Sequence, residues 1–258
     1  MIFCNLTPVD AADLNSNVQI STENLEIGII SISYRADINN KIKVMVEKNG
    51  ETITYNLNSE GTYESFPLQM GDGVYKVSVL ENVEGNKYRY VSSENVNLDL
   101  SNDNQVYLGS IQNINWDYNK AAIKIASDLT KGLKTEEEKI GAIYSYLVSN
   151  VTYDYDKLTK LKYDYLPDID ATIAGSKGIC YDFASTFAAM LRSQGIPAKL
   201  VKGYAKGVSG YHAWNEVYSS ESKKWTTIDA TYDSQMKAAG SKYSMIKDTV
   251  HYSTVYEY

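Results

Sequence analysis

Residues 178–197 read GICYDFASTFAAMLRSQGIP. Within them Cys180, Phe183, Ala184, Phe187, Ala188 and Leu191 fall at i, i+3, i+4, i+7, i+8 and i+11, the spacing of an apolar helix face. Gly195 can supply a left-handed cap, and Pro197 forbids continuation. The turn-prone lead-in Gly175-Ser176-Lys177-Gly178 puts Cys180 in the first turn, on the face expected to be buried. Unpaired backbone N–H groups and the positive end of the helix dipole favour a thiolate at that position. Packing alone also explains a lone cysteine on an apolar face, so the thiol needs partners before it means chemistry.

Those partners come from the chain downstream. Ala198 to Ala205 reads as a strand, Gly207 to Gly210 as a turn, Tyr211 to Tyr218 as a second strand and Trp225 to Ala230 as a third. With Ser219-Ser220-Glu221-Ser222 as the hairpin loop, Tyr218 faces Lys223. The same register sets His212 opposite Asp229, with Cβ atoms roughly 4.5–5.5 Å apart. Trp214 then faces Thr227, and Glu216 faces Trp225. A His beside an Asp, with a thiol at a helix start packing on that face, has the parts of a Cys-His-Asp triad. A one-residue slip would send the two side chains to opposite faces, and an ordinary half-buried pair fits as well. Two His residues in the whole chain, and no second Cys near Cys180, are too few for zinc, so no metal and no other cofactor is expected.

Upstream, Thr135 followed by Glu138 is a capping box, and Ile140, Ile143, Tyr144, Leu147, Val148 and Val151 form the stripe of the helix it opens. Ala122, Ile125, Ala126 and Leu129 mark another helix, and Ala171 to Ala174 a single turn. Before the polar stretch Ser101 to Gln105 the period changes to two. Five short strands between Ile27 and Val91, separated by signals such as Asn49-Gly50 and Gly71-Asp72-Gly73, predict a small antiparallel β-sandwich of immunoglobulin-like kind. The expected organisation is a terminus over residues 1–20, a sandwich over 21–104 and an α+β catalytic domain over 105–258. In the terminus, Ile2, Phe3, Cys4 and Leu6 followed by Ala11 and Ala12 read either as the tail of a secretory signal or as an ordinary loose end.

Three blocks now stand in order: KGICYDFASTFAAMLRSQGIPAKLVKGY, YHAWNEVY and KWTTIDATYD. Their pattern, G-x-C before a helix, then G-I-P-A, H-A-W and W-x-x-x-D-x-T, resembles the transglutaminase-like superfamily over about residues 110 to 235, in a bacterial-type member. The resemblance implies a papain-like α+β domain with Cys180 as nucleophile, His212 as base and Asp229 as the orienting acid. It implies nothing about the first 100 residues. Papain-like proteases usually carry a Gln shortly before the Cys, and Ile169 to Ile179 contains none. The Cys180 N–H is one natural oxyanion donor. Tyr153, Tyr155 and Trp214 are candidates for a second, with Tyr181 as a further cleft residue, and plain packing accounts for each of them too.

Composition limits the partners. The 25 basic and 32 acidic residues give a net charge of −7, and no run of five basic residues occurs, which disfavours nucleic acid or a basic membrane face. No apolar stretch approaches the length of a spanning helix. Of 23 tyrosines, 16 lie beyond residue 110, several of them flanking the three blocks, as suits a cleft for an extended peptide or a protein whose strand aromatic is simply Tyr. A thiolate attacking an amide makes a thioester. Water as the second nucleophile then gives a protease or amidase, and an amine gives a transglutaminase. The expected partners are protein or peptide substrates, outside the cell or at its surface or otherwise in the cytoplasm, with cell-surface or cell-wall components as further candidates. A different class of reading is an inactive binding module that uses the sandwich for attachment. The polar-aromatic tail of His251, Tyr252, Tyr256 and Tyr258 has no role in any of these.

Overall fold

The computed structural model describes residues 17–37 and 40–258, so most of the expected leader, Cys4 included, lies outside the described residues. The chain divides into two units, one ending at Val106 and the other spanning Tyr107–Tyr258. The first unit is all β in its regular elements apart from short 3-10 turns: β1 (Val18–Ser21), β2 (Ile29–Tyr34), β3 (Ile42–Lys48), β4 (Glu51–Leu57), β5 (Glu64–Pro67), β6 (Gly73–Glu84) and β7 (Lys87–Leu98). They form two antiparallel sheets, ordered β1-β2-β5 and β4-β3-β6-β7. Alternation decides which side chains face inward. Ile30 and Ile32 of one sheet, and Val44, Val46, Val77 and Val79 of the other, are buried, and Tyr55 meets Phe66 across the sheets at 5.0 Å. Asn49 and Gly50 both take positive φ, 51° and 85°, the conformation a two-residue hairpin turn requires. Short β1 and β5, the latter ending at Pro67, carry too few alternations to be seen in the sequence.

The second unit mixes helices and strands. In order it holds α1 (Ala121–Thr130), α2 (Glu136–Asn150), β8 (Thr152–Tyr153), α3 (Tyr155–Leu158), α4 (Ile169–Gly175), β9 (Lys177–Gly178) and α5 (Cys180–Arg192). After them come β10 (Ala198–Ala205), β11 (His212–Ser219), β12 (Lys224–Ile228), α6 (Ala230–Ala238) and β13 (Tyr252–Glu257). An antiparallel sheet runs β12-β11-β10-β13, with α5 packed on β10 and β11. The tail left without a role is the fourth strand of that sheet, β13. The capping box of α2 forms as read: the Thr135 hydroxyl accepts from the Glu138 N–H at 3.1 Å, and the Glu138 carboxylate accepts from the Thr135 N–H at 3.0 Å.

α5 is more deeply buried than a one-faced helix. Helices α1, α2, α4 and α6 surround it on the sides the sheet leaves open, and every residue from Asp182 to Arg192 is buried. Several of its polar side chains are bonded inward, while the buried Thr186 hydroxyl has no partner. The Ser185 hydroxyl donates to the Asn113 carbonyl at 2.8 Å, and the Arg192 guanidinium donates to the carbonyls of Gly109, Ala198 and Tyr258. Burial pulls the Arg192 pKa down to about 9. Cys180 itself, expected on the buried face, is only half-buried, because it is the first residue of the helix and the stripe ends there.

Candidate active site

Cys180 opens α5 behind Ile179, which has no side-chain oxygen to cap the helix. Asp182 does part of that work instead, its carboxylate accepting from the Ile179 N–H at 2.8 Å. The same buried carboxylate takes the Lys157 ammonium at 2.7 Å and the Tyr165 hydroxyl, which fastens the segment around α3 to the helix start. The Cys180 N–H is among the first amides of the helix, which intrahelical bonding leaves unpaired.

His212 is the first residue of β11, opposite Gly203 of β10. Its Nε2 lies 2.8 Å from Asp229 Oδ2, which leaves Nδ1 for Cys180, the other side chain that hydrogen-bonds the ring. Burial alone would lower the imidazole pKa. The hydrogen bonds to Asp229 and Cys180, and then their charges, outweigh it and push the value up to about 10. Asp229 is fully buried and saturated: Oδ2 also accepts the Tyr252 hydroxyl at 3.1 Å, and Oδ1 accepts the Tyr232 N–H at 2.9 Å.

The three residues of the sequence reading are thus brought together, by a register other than the one expected. Asn215 pairs with Ile228 and Tyr218 with Trp225, so the turn is Ser220 to Lys223 and every pair is shifted by two residues. Trp214 does not face Thr227, and Glu216 faces Thr227 rather than Trp225. Because the shift is even, the parity that put His212 and Asp229 on one face survives. Asp229 has left the strand, however, and reaches His212 as the N-cap of α6.

A cleft of about 400 Å³ has His212 in its wall, together with Tyr153, Tyr155, Leu158, Tyr232 and Met236 and the turn from Gly207 to Ser209. No carboxylate lines it. Tyr153 gets there through the parallel pairing of β8 with β9, which sets it beside Gly178, two residues before the thiol. Burial, with the charges of Cys180, Tyr155 and Asp182, pushes the Tyr153 hydroxyl up to about 12, so it stays protonated and able to donate. Tyr155 also lines the cleft, with its hydroxyl donating to Gln235 at 3.0 Å. The other two candidates are not among the residues lining this cleft. Trp214 is 1% exposed, stacked on His212 and tilted against Tyr252, and its buried Nε1 has no partner. The Tyr181 hydroxyl donates to Asn113 at 2.8 Å.

Asp182 is not singled out by the sequence, and Tyr252 only as part of a tail without a role. An acid two residues after the helix start is a readable capping signal. The Tyr252, Thr254 and Tyr256 alternation is a readable strand signal, but nothing local says that its hydroxyl meets Asp229. Among the described residues no group of three or more His, Cys, Asp or Glu could hold a metal ion, and no helix is long and apolar enough to cross a membrane.

Residues 123–230 match the model of the transglutaminase-like superfamily, an interval that contains Cys180, His212 and Asp229. The chain therefore carries a domain of that superfamily. It is 33% identical over 127 residues to the uncharacterized protein YebA of Bacillus subtilis, covering 42% of this chain and 17% of that one. To the kyphoscoliosis peptidase of Mus musculus it is 25% identical over 143 residues, 51% of this chain and 21% of that one. The match thus spans about a fifth of the length of these relatives. Among solved structures, the periplasmic domain of TgpA from Pseudomonas aeruginosa is similar at 16% identity over 80% of this chain and 69% of that one, with a TM-score of 0.41.

Proposed function

We propose that this chain is a cysteine-dependent acyl-transfer enzyme acting on amide groups of proteins or peptides, in the manner of a transglutaminase. The observation that carries the proposal is the run of contacts from Cys180 at a helix start, through His212, to a buried Asp229. The Cys180 thiolate attacks the amide carbonyl carbon, forming an S–C bond. The C–N bond then breaks as His212 Nδ1 gives its proton to the leaving amine, and a thioester remains. An incoming amine next loses its proton to Nδ1, forms the new C–N bond and releases the thiolate. Asp229 holds the ring by Nε2 throughout, so the same nitrogen serves both steps. The Cys180 N–H and the Tyr153 hydroxyl are the two donors for the oxyanion, and removing a donor of this kind costs about 10²–10³ in kcat.

Hydrolysis is the second reading, with water in place of the amine. The cleft favours it in one respect, having no carboxylate to receive a lysine ammonium. We further take the antiparallel first unit as an immunoglobulin-like sandwich used for attachment, the second unit as the catalytic domain, and the chain as acting outside the cell or at its surface. Mass spectrometry after incubation with a glutamine-containing protein and a labelled amine tests the reaction. Incorporated amine supports transfer, a cleaved chain supports hydrolysis, and neither product, with binding unchanged in Cys180→Ala, would leave the chain an inactive binding module.

A further inference from the structure

Lys202 is a largely buried ammonium that pairs with no carboxylate among the described residues. Three other lysines of the second unit that turn inward each meet one: Lys157 meets Asp182, Lys199 meets Glu257 and Lys247 meets Asp233. Lys202 sits on β10 between Ala213 of β11 and Tyr256 of β13, next to Gly203, which faces His212. Its Nζ lies 3.6 Å from the ring centre of Tyr181 and 5.2 Å from that of Tyr258. Ring faces return only part of the hydration an ammonium loses on burial. Tyr181 directly follows Cys180 in the first turn of α5, so the contact that holds the amine also holds it near the thiol. Among the described residues, Cys180 is the one group whose negative charge favours the ammonium.

We infer that Lys202 is the counter-cation of the Cys180 thiolate, a positioning residue that adds to His212 in keeping the nucleophile ionised. This rests on Cys180 being the nucleophile. Around the amine the titratable groups are Cys180 and Tyr181 of α5, Tyr256 of β13 and Tyr258 just beyond it, with His212 paired to the neighbouring Gly203 on β11. Burial holds Tyr181 and Tyr258 protonated, and His212 is pushed up to about 10. Burial lowers Lys202 to about 8, against the opposing pull of Cys180. The ammonium is therefore present at neutral pH and is lost above about 8.

The test is the pH profile of Cys180 alkylation by iodoacetamide in the whole chain, for wild type, Lys202→Met and Lys202→Arg. On the rising limb of the wild-type profile, Lys202→Met should react about five-fold more slowly, while Lys202→Arg stays within about two-fold of wild type. A folded Lys202→Met whose profile overlays wild type overturns the inference. If that variant does not fold, the reciprocal measurement decides, because coupling between two sites is mutual. Below its midpoint, Lys202 should be acetylated by acetic anhydride about five-fold faster in Cys180→Ala than in wild type, and equal rates overturn the inference. Slow wild-type alkylation, no faster than that of free cysteine, would instead sink the nucleophile reading itself.

Discussion

The two oxygens of Asp229 serve different structures, Oδ1 capping α6 through the Tyr232 N–H and Oδ2 holding His212 and Tyr252. Substitution can separate these roles. Asp229→Asn keeps an oxygen for the cap but sets an amide against two donors, so the imidazole loses its orientation. Amine incorporation or peptide cleavage should fall by on the order of 10²–10⁴, with the cap of α6 kept but the stability contributed by the His212–Asp229 pair lost at neutral pH. Asp229→Ala should show the same loss and also destabilise the fold by about 1 kcal/mol through the missing cap, visible in denaturant melts. The charge on His212 has its own signature in stability. Its pKa is raised from 6.5 to about 10 on folding, so the folded state binds the proton more tightly. That contribution is complete below pH 6.5, declines above it, and is gone once the pH passes about 10. Wild type should therefore lose stability relative to His212→Gln across this window, and parallel curves for the two proteins would contradict the assignment.

Strand β13 depends on one residue lacking a side chain. A Cβ on Gly203 would stand 2.0 Å from the Ser253 carbonyl oxygen and 3.0 Å from the Trp214 ring, at the point where the β10–β13 register shifts. Gly203→Ala should push β13 off the sheet, at a cost of about 2 kcal/mol or more, and free Tyr252 from Asp229. Hydrogen exchange would show it as lost protection at the Leu200 and Tyr258 amides, which bond each other's carbonyls at 2.9 Å. Element by element, what could be read from the sequence was local. The Thr135–Glu138 box, the 3.6-residue stripe of α5 and the Asn49-Gly50 turn each carry their structural cause within a few residues. The face shared by His212 and Asp229 was legible too, because parity survives an even error in register. The pair that actually faces His212 was not, since sliding the turn by one residue moves every pairing by two. Nor was the pairing of β13 legible, since its partner strand lies about fifty residues upstream and closes a non-local contact.

At the scale of the whole chain, each unit has its own core: Ile30, Phe66, Val77 and their neighbours in the first, Phe183, Phe187, Leu200 and Trp214 in the second. All the residues to which chemistry has been assigned, Tyr153, Cys180, Lys202, His212, Asp229 and Tyr252, belong to Tyr107–Tyr258. Their supports belong there as well. Asp182 and Arg192 are satisfied by Lys157, Tyr165 and the carbonyls of Gly109, Ala198 and Tyr258, all within the second unit. About 150 residues are enough to bury a core and fold alone. A fragment of residues 107–258 should therefore fold cooperatively and alkylate at Cys180 with the pH profile of the full chain. Its activity on a short peptide should match as well, while its activity on an intact protein substrate should fall if the first unit serves attachment. A fragment that folds but alkylates slowly would show that the thiolate depends on residues before 107, which the contacts around Cys180 give no reason to expect.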